Sequence, residues 1–134
     1  MDFDKINVGD EMPVEKNPVG KYQPMYYAGA SGDFNPIHID PEFGKMVGLG
    51  GNILQGLCTM AFAAKSVWNY GGDPGSLKKL KVRFAKPVKP LDMVVVSGKV
   101  VAKEGDVATI EVIATTNKGE VEVLNNSVAE LRKV

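Results

Sequence analysis

The chain has one cysteine, Cys58, and one histidine, His38, among 134 residues. A lone cysteine excludes an intrachain disulfide. One Cys and one His fall short of the three or four ligands of a zinc centre, so no metal is expected. Net charge is also missing: 16 Lys and Arg balance 16 Asp and Glu. That removes the bulk attraction that draws a basic protein to nucleic acid. No apolar run approaches the ~18–20 residues of a membrane span. The opening Met1-Asp2-Phe3-Asp4-Lys5 is acidic and carries no apolar signal region. The expectation is a cytoplasmic protein with neither nucleic acid nor membrane as a partner. Repeats and low-complexity tracts are absent as well.

Apolar residues make up 44% of the chain and charged residues 24%, enough to bury a core and stay in solution. The length suits one domain over residues 1–134. The charge is unevenly spread. Residues 1–50 carry four Lys and eight acids, and residues 51–134 carry twelve Lys and Arg and eight acids. Lys78, Lys79, Lys81, Arg83, Lys86 and Lys89 fall together with no acid between them. Such a cluster reads as a solvated strand face. It could also meet phosphates.

The first half is rich in Gly and Pro. Ile6 to Val14 reads as a short strand or turn around Gly9-Asp10. Gln23 to Ala30 reads as a short helix, with Pro24 early, where a missing N–H does no harm. Gly29 to His38 reads as a loop, and Pro41 to Met46 as a helical turn. Ile53 to Tyr70 is the main helix. Its apolar stripe is Ile53, Leu54, Leu57, Met60, Ala61, Ala64, Val67 and Trp68, with Asn52 as candidate cap. Gly71 to Gly75 ends it.

The second half reads as strands. Lys79 to Phe84 alternates basic and apolar residues. Met93 to Val101, Val107 to Thr116 and Glu120 to Leu131 follow, joined by hairpin turns at Glu104-Gly105-Asp106 and Asn117-Lys118-Gly119. Pro87 to Asp92 is a bend. The sum is an α+β domain, one long helix on an antiparallel sheet. Such a sheet leaves edges and apolar area, which a second copy would cover.

The chemistry is concentrated in Ser31-Gly32-Asp33-Phe34-Asn35-Pro36-Ile37-His38. The only imidazole lies five residues after an Asp, in a stretch stiffened by Pro36 and permitted its turn by Gly32. Asp and His held at a set distance can position one water and exchange protons with it, since imidazole titrates near neutrality. Spacing alone also fits a structural His and an Asp that caps a turn.

The run Tyr27-Ala28-Gly29-Ala30-Ser31-Gly32-Asp33-Phe34-Asn35-Pro36-Ile37-His38-Ile39-Asp40 resembles the signature of the MaoC-like dehydratases and (R)-specific enoyl-CoA hydratases. Ile53 to Ala61 is similar to the start of that family's central helix, and Val82 to Asp92 to the strand and bend that follow. The resemblance implies a hot-dog fold, in which an antiparallel sheet wraps one long central helix. It implies hydration of trans-2-enoyl thioesters to (R)-3-hydroxyacyl thioesters, or the reverse. Asp33 and His38 would hold the catalytic water, and the backbone N–H of Gly56 would bind the thioester oxygen. Gly32, Asn35 and Pro36 would support the loop. The chain departs from the family pattern at Gln55, where His is common, at Ala64, where Ser occurs, and at Leu91, where the bend is usually Pro-Gly-Asp.

No cofactor is implied. The expected partners are an acyl-CoA or acyl carrier protein thioester and a second copy of the chain, with a heteromer open. The alternative is a non-catalytic or supporting subunit of a heteromeric dehydratase, or an acyl-thioester binding protein. Retention of both Asp33 and His38 argues against it. Cys58 reads as packing in the helix. Phe34, Ile37 and Ile39 read as core. Tyr26 and Tyr27 could line an acyl pocket.

Overall fold

The computed structural model describes residues 1–134. Period-two alternation in the C-terminal half produces three long strands and an edge: β2 (Leu77–Phe84), β3 (Met93–Glu104), β4 (Val107–Thr116) and β5 (Val121–Arg132). A short β1 (Glu15–Pro18) forms the other edge. The order is β1-β3-β4-β5-β2, antiparallel throughout. One strand face is dry: Val94, Val96, Ala108, Ile110, Ala114, Leu124 and Ala129 are each fully buried. Against this face lies α4 (Gly56–Gly71). The arrangement is the hot-dog fold expected from the sequence.

Three short helices precede α4: α1 (Gln23–Ser31), α2 (Pro36–Ile39) and α3 (Pro41–Met46). No helix is long and apolar enough to cross a membrane.

Four local expectations are corrected. Of the strand or turn expected within Ile6 to Val14, the turn forms at Gly9, while Glu11 makes only a single bridge to Lys99 and the N-terminal strand lies at Glu15–Pro18. The supposed loop from Gly29 to His38 is largely helical, leaving Gly32–Asn35 between α1 and α2. The main helix starts at Gly56, because Ile53 and Leu54 spend their N–H groups on Ile37 and Val88 carbonyls in an extended segment. Asn52 therefore caps nothing. Its side-chain amide donates to the His38 carbonyl at 2.9 Å.

The fourth concerns which face of the helix is buried. The dry side of α4 is Cys58, Thr59, Ala63, Ser66, Val67 and Tyr70. Of the expected stripe, Leu57 is 63% exposed and Ala61 is exposed. A helix apolar nearly all round does not reveal its core face by periodicity.

Leu91 departs most clearly from backbone preference. It sits at φ 72° in the bend, where its own N–H and the Asp92 carbonyl pair with Val19 at 2.8 Å. A Cβ in the left-handed region costs roughly 1–2 kcal/mol. Glycine removes that cost but loosens the unfolded chain. Leu91 is 76% exposed, so little packing is lost. Leu91→Gly is expected to stabilise the fold by about 0.5–1 kcal/mol. A raised urea midpoint with an unchanged slope would show it.

Candidate active site

Local rules bring Asp33 and His38 together. Gly32 ends α1 in the left-handed region, φ 79°. Ser31 Oγ donates to the Tyr27 carbonyl at 2.7 Å and accepts the Asp33 N–H at 3.1 Å. Asp33 Oδ1 accepts the Asn35 N–H at 3.3 Å. Asn35 then caps α2, its Oδ1 accepting the Ile37 N–H, with Pro36 in the first turn, where proline is favoured. These links give the Asp33 carboxylate a fixed base and seat His38 one turn into α2. Gly32, Asn35 and Pro36 all lie in this turn between Asp33 and His38 and its flanks.

The His38 ring is buried and held from behind. Its Nδ1 lies 2.9 Å from the Ile53 carbonyl oxygen. A carbonyl only accepts, so Nδ1 carries the proton. In the neutral ring Nε2 then presents a lone pair. Nε2 lies 3.4 Å from Asp33 Oδ2. That is longer than the roughly 2.7–2.9 Å of a charge-assisted bond. The two groups face each other without being locked together, and both can bond one small polar molecule. The Asp33 side chain is 47% exposed and His38's only 9%, so the pair has a wet end and a dry end.

His38 lines a cavity of about 290 Å³ together with Ile53, Gly56, Thr59, Phe84 and Val123. Gly56 opens α4, and its N–H and that of Leu57 donate to nothing in the chain. Free N–H groups and the positive end of the helix dipole coincide there. The missing side chain also matters: a Cβ on Gly56 would stand 3.2 Å from the Phe84 ring, tightening the cavity wall. His38 and Gly56 thus share one cavity, and Asp33, outside its lining, faces His38.

Other residues fall elsewhere. Phe34 is 58% exposed, not core, because the turn from α1 to α2 carries it outward. Ile37 and Ile39 are half-buried. Tyr26 is exposed. Tyr27 packs on the core, and burial, with Cys58 and Asp33 nearby, pushes its phenol above the usual range. Gln55 is buried and its Nε2 donates to the Pro24 carbonyl at 2.9 Å, tying α1 to the start of α4. Thr59, Phe84 and the Ile53 carbonyl escaped the sequence reading. Thr59 had a legible signal, a hydroxyl one turn past Gly56. A backbone carbonyl has none.

Cys58 is buried against Gln23, whose Nε2 lies 3.7 Å from the sulfur. Burial pushes its thiol up, which disfavours the nucleophilic thiolate. Cys58→Ala is expected to leave turnover within about twofold while lowering stability by roughly 1 kcal/mol. A tenfold loss of turnover in a folded variant would give the thiol a chemical role.

Residues 6–122 match the model of the family described as MaoC like domain. A protein described as probable enoyl-CoA hydratase 2 of Dictyostelium discoideum is 42% identical over 79 residues, 58% of this chain and 27% of that protein. A peroxisomal hydratase-dehydrogenase-epimerase of Saccharomyces cerevisiae is 41% identical over 101 residues, 75% of this chain and 10% of that protein. A solved MaoC-like dehydratase superposes with a TM-score of 0.93 at 28% identity, over 99% of this chain and 42% of its own. The chain spans only about a quarter or less of the length of these two curated relatives.

Proposed function

The chain belongs to the MaoC-like domain family, and on that premise we propose that it adds water to trans-2-enoyl thioesters, giving (R)-3-hydroxyacyl thioesters, or runs the reverse dehydration. The observation that carries this reading is the facing of the Asp33 carboxylate and His38 Nε2 beside a cavity that also holds the free N–H of Gly56.

In hydration, a water held by both groups loses a proton to the pair as its oxygen bonds to the β-carbon. The electrons of the double bond move toward the thioester oxygen, where the Gly56 N–H stabilises the developing charge. The α-carbon then takes a proton from the pair, and the enolate-like intermediate closes to the 3-hydroxyacyl product. Dehydration reverses each step. The Ile53 carbonyl supports this by keeping the proton on Nδ1, so that Nε2 is the atom that accepts and returns the mobile proton.

The substrate is expected as a coenzyme A or carrier-protein thioester. A second copy is the expected partner: the Leu57 and Ala61 side of α4 and the two sheet edges are uncovered in one chain. A heteromer in which this chain is the catalytic half fits the same surface.

The test is loss of the enoyl ultraviolet absorbance of crotonyl-CoA on adding the purified protein. Rapid loss, with the (R) product recovered, is the expected result. No loss with crotonyl-CoA, with longer enoyl-CoAs and with enoyl carrier protein would remove the catalytic reading in favour of a supporting subunit.

A further inference from the structure

Asn52, whose side chain holds the His38 carbonyl, also lines a second cavity of about 370 Å³. That cavity is also lined by Lys21, Tyr22, Lys89, Gly50 and Gly51. Three observations there concern negative charge. No carboxylate is among its lining residues. Neither Lys21 nor Lys89 pairs with an acid anywhere in the chain, although Lys78, Lys79 and Lys133 do. The consecutive N–H groups of Gly50, Gly51 and Asn52 donate to nothing, and both glycines hold positive φ, 75° and 145°. Successive unpaired N–H groups in such a turn, with ammonium groups beside them, form a concavity suited to phosphate oxygens. The Lys89 Nζ lies over Gly50, 3.4 Å from where a Cβ would stand, so a side chain there would crowd the ammonium.

We propose that this cavity binds the phosphate groups of the thioester carrier. This rests on the thioester reading above. The chain supplies a connection between the two cavities: Ile53 and Val88 line the first and Asn52 and Lys89 the second, with Leu54 N–H donating to the Val88 carbonyl at 2.7 Å between them. The two cavities thus sit side by side along one short segment.

Coenzyme A without an acyl group is titrated calorimetrically into the wild type and the double variant Lys21→Ala/Lys89→Ala, with pantetheine and inorganic pyrophosphate as further probes. The double variant is expected to bind coenzyme A on the order of tenfold more weakly, with pantetheine unchanged. Its KM for crotonyl-CoA is expected to rise similarly, while kcat and the KM for crotonyl-N-acetylcysteamine, which lacks phosphate, stay constant. Equal coenzyme A affinity in wild type and variant overturns the proposal. So does lysine-dependent binding of pyrophosphate with no such effect on coenzyme A, which assigns the cavity to free phosphates. Lysine-dependent coenzyme A binding by a wild type that turns over no enoyl thioester leaves this site standing and removes the hydratase reading alone.

Discussion

Asp33→Asn is expected to lower enoyl thioester turnover by about a thousandfold, the scale of a general acid–base group, with the fold intact. The amide is the same size and keeps an oxygen that can accept the Asn35 N–H, so the turn into α2 survives. What changes is the charge facing His38 Nε2 across 3.4 Å. A neutral amide can neither take the water's proton nor stabilise an imidazolium. His38→Gln should fall comparably. Its amide can still donate toward the Ile53 carbonyl, so the local packing is tested separately from proton exchange. The measurement is kcat on the enoyl thioester that the wild type turns over best, with circular dichroism alongside. Either variant turning over within tenfold of wild type would remove that residue from the proposed mechanism. The double variant should be little worse than either single one, because the proposed mechanism uses the two as a unit on one water.

Gly44→Ala is expected to be the most damaging single methyl in the chain. Gly44 lies in α3 and is buried. A Cβ there would overlap the carbonyl oxygen and carbon of Gly51 and press on the Asn52 nitrogen. These are backbone atoms, which cannot swing aside as a side-chain tip would. Gly44 also accepts the Leu49 N–H at 2.8 Å, so the loop is anchored at the point of collision. The added methyl must push the 48–52 segment outward, at a cost of about 3 kcal/mol. Asn52 and Ile53 would move with it, and these hold the His38 carbonyl and ring. Denaturant unfolding should show the loss of stability. Turnover below the unfolding midpoint should fall as well, although position 44 touches no reacting group. A variant as stable as wild type would mean that the loop has room to move, and that α3 does not fix it.

Much of this architecture was legible because the signals are local and redundant. Val94, Val96, Ile110 and Val112 alternate with outward residues, and Gly105 and Gly119 mark the returns, so the strands and their hairpins follow from period and turn chemistry. Asp33 and His38 were legible as candidates through the family resemblance of the run that holds them, since spacing alone also fits a structural His and a turn-capping Asp. The face of α4 was not, since Leu57 and Ala61 are as apolar as Ala63 and Val67. Only the sheet's position decides which are covered. Asn52 looks like a cap for a related reason: its type fits a helix start, but the extended pairing of Leu54 with Val88, 34 residues away, delays that start to Gly56.

The sequence by itself determined the four C-terminal strands, the long helix, the family and the pair of proton-transfer candidates, because each rests on residues close along the chain. The tertiary structure decided what depends on distant segments. It set the proton on Nδ1 through the Ile53 carbonyl, the sharing of one cavity by Gly56 and Phe84, and the placing of Lys21 and Lys89 on one cavity with the Gly50-Gly51 loop. In each case a backbone group or a side chain gains its role from a neighbour that no local spacing names.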